Sequence, residues 1–61
     1  MVTPMAPGPL DPPACRRGRA WDRWCHEMVR GRGYAAKYVA ARAGEPEVRV
    51  IHAVMREERR R

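Results

Sequence analysis

The 61-residue chain has no Ser, Asn, Gln or Phe, and it has only one Thr and one Lys. With Thr3 as the single aliphatic hydroxyl, a Ser or Thr nucleophile is excluded outside the N-terminal segment. Asn and Gln are the side chains that usually read adenine, so readout of that base by an amide is excluded as well. No stretch approaches the roughly 18 apolar residues that a membrane-spanning helix needs.

The remaining polar residues do not form a pattern that is typical of catalysis or metal binding. Cys25 and His26 are adjacent, so on a helix they point about 100° apart and cannot easily act as a nucleophile and its base. The four potential zinc ligands lack the paired spacing of structural zinc sites; they are Cys15, Cys25, His26 and His52. We therefore expect neither an enzyme nor a bound metal or cofactor.

The chain is rich in Arg, Ala and Pro, with twelve, nine and six residues respectively. Such a skew is typical of GC-rich coding sequence. Five prolines fall in the first thirteen residues, which predicts a disordered Pro-rich arm over residues 1–15. Residues 16–61 hold 13 basic and six acidic side chains, a net charge of +7. This positive charge favours nucleic acid, anionic lipid or an acidic protein as the partner.

Length and cysteine content limit the architecture further. A chain of 61 residues forms one domain at most, and cores below roughly 70 residues usually need a metal, a disulfide, tight helix packing or a partner subunit. A homodimer is therefore one alternative. The N-terminal segment lacks the basic start and apolar run of a secretory signal, so we expect a cytoplasmic protein whose two thiols are reduced.

Three amphipathic segments predict an all-α, three-helix unit over residues 16–61. Helix one carries an apolar stripe at offsets 0, +3, +4, +7 and +8, made of Trp21, Trp24, Cys25, Met28 and Val29. Gly31 and Gly33 are expected to end it, and Asp22 to pair with His26 one turn away. Helix two is predicted over residues 34–43, with Gly44 as its C-terminal stop. Helix three is predicted over residues 46–59, with Pro46 at its first position.

Helix three has an apolar side and a basic side. The broad apolar side consists of Val48, Val50, Ile51, Val54 and Met55. The basic stripe consists of Arg49, His52, Arg56, Arg59 and Arg60. Four arginines and a histidine on one side of a helix are hard to obtain from compositional bias alone, and the stripe is either a ligand-binding surface or a solvated face.

The segment VAARAGEPEVRVIHAV resembles the helix-turn-helix of lactose-repressor-type and phage-repressor-type regulators. The matching positions are Val39, Ala40, Gly44, Val50 and Ala53. The resemblance implies that helices two and three form a DNA-binding unit, and it covers some 20 residues. The chain departs from the pattern at Glu45, where the family usually has an apolar residue. The family's frame directs one set of residues toward the DNA groove, namely Pro46, Glu47, Val48, Ile51, His52 and Met55.

These observations favour a small DNA-binding protein, a transcriptional regulator or accessory factor. Phosphate contacts are expected from Arg49, Arg56, Arg59 and Arg60, and Glu47 and His52 are expected near base edges. Three apolar residues of helix three are predicted to be core or dimer contacts and not base readers: Val48, Ile51 and Met55.

The alternative function uses helix one. Trp21, Trp24 and Met28, beside several arginines, would dock into an acidic protein groove or onto an anionic membrane. Burial of the tryptophans distinguishes the two hypotheses, because a globular DNA-binding domain without Phe needs large side chains in its core.

Overall fold

A computed structural model describes residues 11–61, and within them the predicted all-α, three-helix unit is confirmed. Helix α1 spans Gly18–His26 and continues into a π-helical segment, Glu27–Gly31. Helix α2 spans Ala36–Ala43, and helix α3 spans Glu47–Arg60. Residues 1–10, which make up most of the predicted Pro-rich arm, lie outside the described residues.

The first helix changes its hydrogen-bonding pattern before it ends. The sequence predicts one amphipathic helix up to Gly31, whereas α-helical geometry stops at His26 and a π-helical turn follows. At the end of this turn the Arg32 N–H donates to the carbonyl of Glu27, five residues earlier, at 2.9 Å. The Tyr34 N–H then donates to the Met28 carbonyl at 3.0 Å, which turns the chain toward α2.

Gly44 ends α2 as predicted, because it adopts a left-handed conformation that a side chain disfavours. Its φ is 71° and its ψ is 32°. The Gly44 N–H donates to Ala41 at 3.2 Å and the Glu45 N–H donates to Ala40 at 3.0 Å, the paired bonds of a Schellman motif. Pro46 is extended and precedes α3, so the helix begins one residue later than the sequence predicts.

All three helices and the π-helical segment contribute to one core. Its largest buried side chains are Trp21 and Met28, from the first helix and its extension. From α2 the core receives mainly small side chains, which allow that helix to approach α3 closely. The complete set of buried apolar residues is Trp21, Cys25, Met28, Val39, Ala40, Ala43, Val50, Ala53 and Val54. Trp24 and Val29, the other two members of the predicted stripe, are partly buried against this core.

Helix α3 buries only part of its apolar side. Val50, Ala53 and Val54 are buried, whereas Val48 is 51% exposed, and Ile51 and Met55 are 40% and 47% exposed. The sequence predicts that these last three residues are core or dimer contacts; the core alternative is therefore wrong, and the dimer alternative stays a prediction. Both α1 and α2 pack on the flank that carries Val50, Ala53 and Val54, so no described element remains to cover the outer part of the apolar side.

Replacing Gly44 with Ala should destabilise the fold by about 1 kcal/mol, because Ala meets a steric cost in the left-handed region. The free energy of unfolding is measured by urea titration with tryptophan fluorescence. Gly44→Asn is the matched control, since Asn tolerates this conformation better, and it should lose less stability. An alanine variant as stable as the glycine protein would contradict the role assigned to this turn.

Candidate nucleic-acid interface

A buried carboxylate on α1 holds two of the predicted DNA-binding arginines. Asp22 is only 1% exposed and faces α3. Arg56 binds it through two nitrogens, with Nε 3.2 Å from Oδ2 and Nη2 2.9 Å from Oδ1. Arg60 adds a third bond from Nη1 to Oδ2 at 2.8 Å. An Arg–carboxylate pair with two hydrogen bonds constrains the relative orientation of the two side chains and also contributes stability. Asp22 therefore determines how α1 lies across α3.

The surroundings of Asp22 act on its pKa in opposite directions. Burial raises the pKa, because it disfavours the charged form, but the hydrogen bonds and positive charges of Arg56 and Arg60 together outweigh burial. The pKa of Asp22 is therefore lowered from its ordinary value. The same contact raises the pKa of Arg56. The carboxylate is thus fully ionised at neutral pH.

A second buried carboxylate lies on α3 itself. Glu57 is 6% exposed and accepts bonds from Arg60 Nη1 at 3.4 Å and from Arg61 Nη2 at 3.1 Å. Arg60 therefore bridges the Asp22 and Glu57 carboxylates. These ion pairs satisfy the acidic groups at the α1–α3 contact, where an unpaired charge would be strongly destabilising.

Arg49 and Arg16 join the segment before α1 to the other two helices. The Arg49 guanidinium donates to the backbone carbonyl of Arg16 at 2.7 Å and to Glu45 Oε1 at 3.1 Å. The Arg16 Nε in turn donates to the carbonyl of Ala43, at the end of α2, at 3.2 Å. Arg16 also donates to the carbonyl of Pro13. Arg49, predicted as a phosphate contact, thus takes part in an internal hydrogen-bond network.

Three of the six predicted DNA-binding residues line one open notch on α3. The notch has a volume of about 220 Å³ and is lined by His52, Met55, Arg56 and Arg59. Arg59 is exposed and has no ion pair among residues 11–61. Arg56 is 41% exposed, so it faces the notch while it binds Asp22. The notch therefore places positive charge beside the exposed thioether of Met55. The positive charge suits a phosphate or another anion.

The other three predicted residues lie around this notch and do not line it. Glu47 is exposed in the first turn of α3, where a carboxylate suits the positive end of the helix dipole. Arg49 and Arg60 are turned toward the internal partners described above. The structure thus brings His52, Arg56 and Arg59 together, whereas Arg60 belongs to the α1–α3 contact and Arg49 to the contact between α3 and the segment before α1.

Sequence reasoning missed the partner of these arginines. The sequence predicts that Asp22 pairs with His26, and this prediction is wrong, because Asp22 faces α3 instead. His26 Nε2 lies 3.6 Å from Glu58 Oε2, which also accepts a bond from Arg30 Nε at 2.8 Å. One signal was present in the sequence: in the helical projection Asp22 lies at the edge of the apolar stripe of helix one, next to Val29.

The side chains proposed for the alternative function are largely unavailable. Trp21 and Met28 are fully buried, so they cannot enter a membrane or a partner's groove without unfolding. The Trp21 ring stacks on Trp24, with 5.6 Å between centroids. Cys25 is buried beside them as predicted, and burial, followed by the nearby charge of Asp22, raises the pKa of its thiol to about 12. This thiol is therefore protonated at neutral pH.

Residues 11–61 contain no cluster of three or more His, Cys, Asp or Glu side chains that could hold a metal ion. Within the same part of the chain, no helix has both the length and the apolar character required to cross a bilayer. No protein-family model matches the sequence, and comparisons with curated proteins and with solved structures also gave no match.

Replacing Asp22 with Asn should lower the free energy of unfolding at pH 7 by about 1–3 kcal/mol, because a buried charged acceptor of three hydrogen bonds is lost. Because the folded pKa of Asp22 is depressed, its stabilisation is complete above the unfolded pKa. It should disappear as the pH falls below about 4. Urea titrations of both proteins across this range should therefore converge at low pH.

Asp11→Asn is the matched control for the Asp22 variant. Asp11 also pairs with an arginine, Arg42, at 2.6 Å, but its side chain is 90% exposed. Exposed ion pairs contribute little to stability, so this variant should unfold like the unmodified protein. Equal losses at Asp11 and Asp22 would show that general charge balance, and not the buried contact, stabilises the fold.

Proposed function

We propose that this protein binds double-stranded DNA through the exposed side of α3, as a small transcriptional regulator or accessory factor. The observation that carries the proposal is the packing of α2 and α3. All five positions of the helix-turn-helix pattern have the environment that the pattern requires. Val39, Ala40, Val50 and Ala53 are buried, and Gly44 is left-handed.

This packing supports the proposal because it determines which side of α3 faces outward. With Val50 and Ala53 buried, the residues opposite them are exposed, and these include Val48, His52 and Met55. A helix about 10–12 Å wide fits the major groove of B-DNA, which is about 12 Å wide. The outward residues of α3 would then lie nearest the base edges.

Arginine contacts to phosphate would provide most of the affinity. Arg59 is exposed beside His52, and neither donates to a carboxylate in the part of the chain that the structure describes. Arg56 uses two nitrogens for Asp22, but a guanidinium has several N–H donors and this side chain is 41% exposed. We therefore expect Arg59 and Arg56 to bind phosphates. We expect Glu47 and His52, at the exposed start and middle of α3, to lie near base edges.

Replacing Arg59 with Ala should weaken DNA binding uniformly across sequences, because a phosphate contact carries no sequence information. The slope of log affinity against log salt concentration should become shallower by about one unit. Binding to fluorescently labelled duplexes of different sequence is measured by anisotropy at several salt concentrations. Arg59→Lys retains the charge and should retain the slope.

Arg19→Ala serves as the control, because it removes the same charge from an exposed position on α1 that does not line the notch. It should change the salt slope less than Arg59→Ala does. If the two alanine variants weaken binding equally, net charge and not the α3 surface determines DNA affinity. No binding by the unmodified protein at low salt, where the electrostatic attraction is strongest, would refute the proposed function.

A further inference from the structure

An apolar groove lies beside the notch, where the π-helical segment, the start of α2 and α3 meet. Its volume is about 220 Å³. Its walls are apolar except for one arginine and consist of Val29, Arg30, Ala36, Ile51, Val54 and Met55. Ile51 and Met55 are among the most exposed large apolar side chains of the described residues. The groove is thus a partly open cleft with a hydrophobic floor.

Exposed apolar residues extend the groove along α3. Val48, Ile51 and Met55 are spaced by three and four residues, so they form a row on one side of the helix, about 10 Å long. The largest exposed apolar patch of a small protein is often functional, because its burial against a partner is favourable. A partner helix with apolar residues at the same spacing would match the row.

Charge around the groove indicates what kind of helix fits. Arg30 lines one border, and Arg56 and Arg59 line the adjoining notch, which shares Met55 with the groove. Glu58 is paired with Arg30 at 2.8 Å, so these two charges largely offset each other, and the exposed Glu47 lies one turn before Ile51. The positive part of this surface is therefore the end of the row at Met55, beside Arg56 and Arg59, and it attracts acidic side chains next to the partner's apolar residues.

A second copy of the chain fits this surface poorly. In a two-fold symmetric pair the same patch serves both partners, and where the two α3 helices run parallel the arginines at their C-terminal ends would approach each other. The chain also carries a net charge of +6, which opposes self-association. An acidic partner avoids both sources of repulsion.

From the apolar row and its positive border we infer that this groove is a docking site for an acidic amphipathic helix of a partner protein. The helix would place two or three aliphatic side chains over Ile51 and Met55 and acidic side chains beside Arg56 and Arg59. This inference does not depend on DNA binding. Because Met55 lines both the groove and the notch, a docked helix would cover part of the surface proposed for DNA.

The test uses two synthetic peptides of about four helical turns with the same Leu and Glu composition. In one peptide the leucines share a helical face, and in the other their order is permuted so that they do not. Each labelled peptide is titrated with the full chain and followed by fluorescence anisotropy. The patterned peptide should bind at least about tenfold more tightly than the permuted one.

Variants locate the binding site. The double variant Ile51→Gln with Met55→Gln should lose about tenfold or more in affinity for the patterned peptide, because both apolar contacts are removed. Tyr38→Gln is the matched control: Tyr38 is also 47% exposed but does not line the groove, and its loss should leave binding unchanged. Thermal unfolding followed by circular dichroism verifies that each variant is folded.

Four outcomes would overturn the inference. Equal binding of both peptides would show attraction by charge alone, and equal binding by the double variant would exclude the groove. Sedimentation that shows a dimer of the unmodified protein, lost in the double variant, would assign the groove to a second copy. Duplex-DNA binding that depends on Ile51 and Met55, without any peptide binding, would assign this face to DNA. Failure of the DNA experiment with Arg59→Ala would leave the peptide result unaffected.

Discussion

The fold depends on one buried carboxylate. Asp22 is the acceptor for both Arg56 and Arg60, and this contact fixes α1 across α3 in a domain with few large apolar side chains. The core contains four alanines or cysteines among nine buried apolar residues, so burial alone stabilises it modestly. The ion pair also fixes the relative orientation of the two helices, because both N–H groups of Arg56 can donate to the carboxylate in only one orientation.

This contact divides the positive charge into two groups. Arg49 and Arg60 bind internal oxygens and determine how the helices pack, whereas Arg59 remains exposed on the outer side of α3. Arg56 belongs to both groups, because it holds Asp22 and also lines the notch. The net charge of +6 therefore overstates the positive charge that a ligand would meet at the surface. An anion that binds at Arg56 would compete with, or share donors with, the carboxylate that stabilises the domain.

Helix number, the Gly44 turn and most of the core could be predicted from the sequence, because apolar periodicity and a left-handed glycine are local properties. The Asp22 ion pairs could not, since they join residues more than thirty positions apart and the sequence offered His26 as a nearer partner. The exposure of Ile51 and Met55 was implied by the helix-turn-helix resemblance but could not be predicted from the apolar pattern. A helical wheel shows that these residues lie on the apolar side of α3, but only tertiary packing decides how much of that side α1 and α2 cover.

The two cysteines differ so much in environment that the chain carries a selective attachment point for a spectroscopic probe. Cys25 is buried and its thiol is protonated at neutral pH, whereas Cys15 is exposed. A thiol-reactive fluorophore or spin label would therefore modify Cys15 in the folded state without any engineered cysteine. Because Cys15 immediately precedes Arg16, whose backbone and side chain contact α3 and α2, such a label would report on the opening of that network.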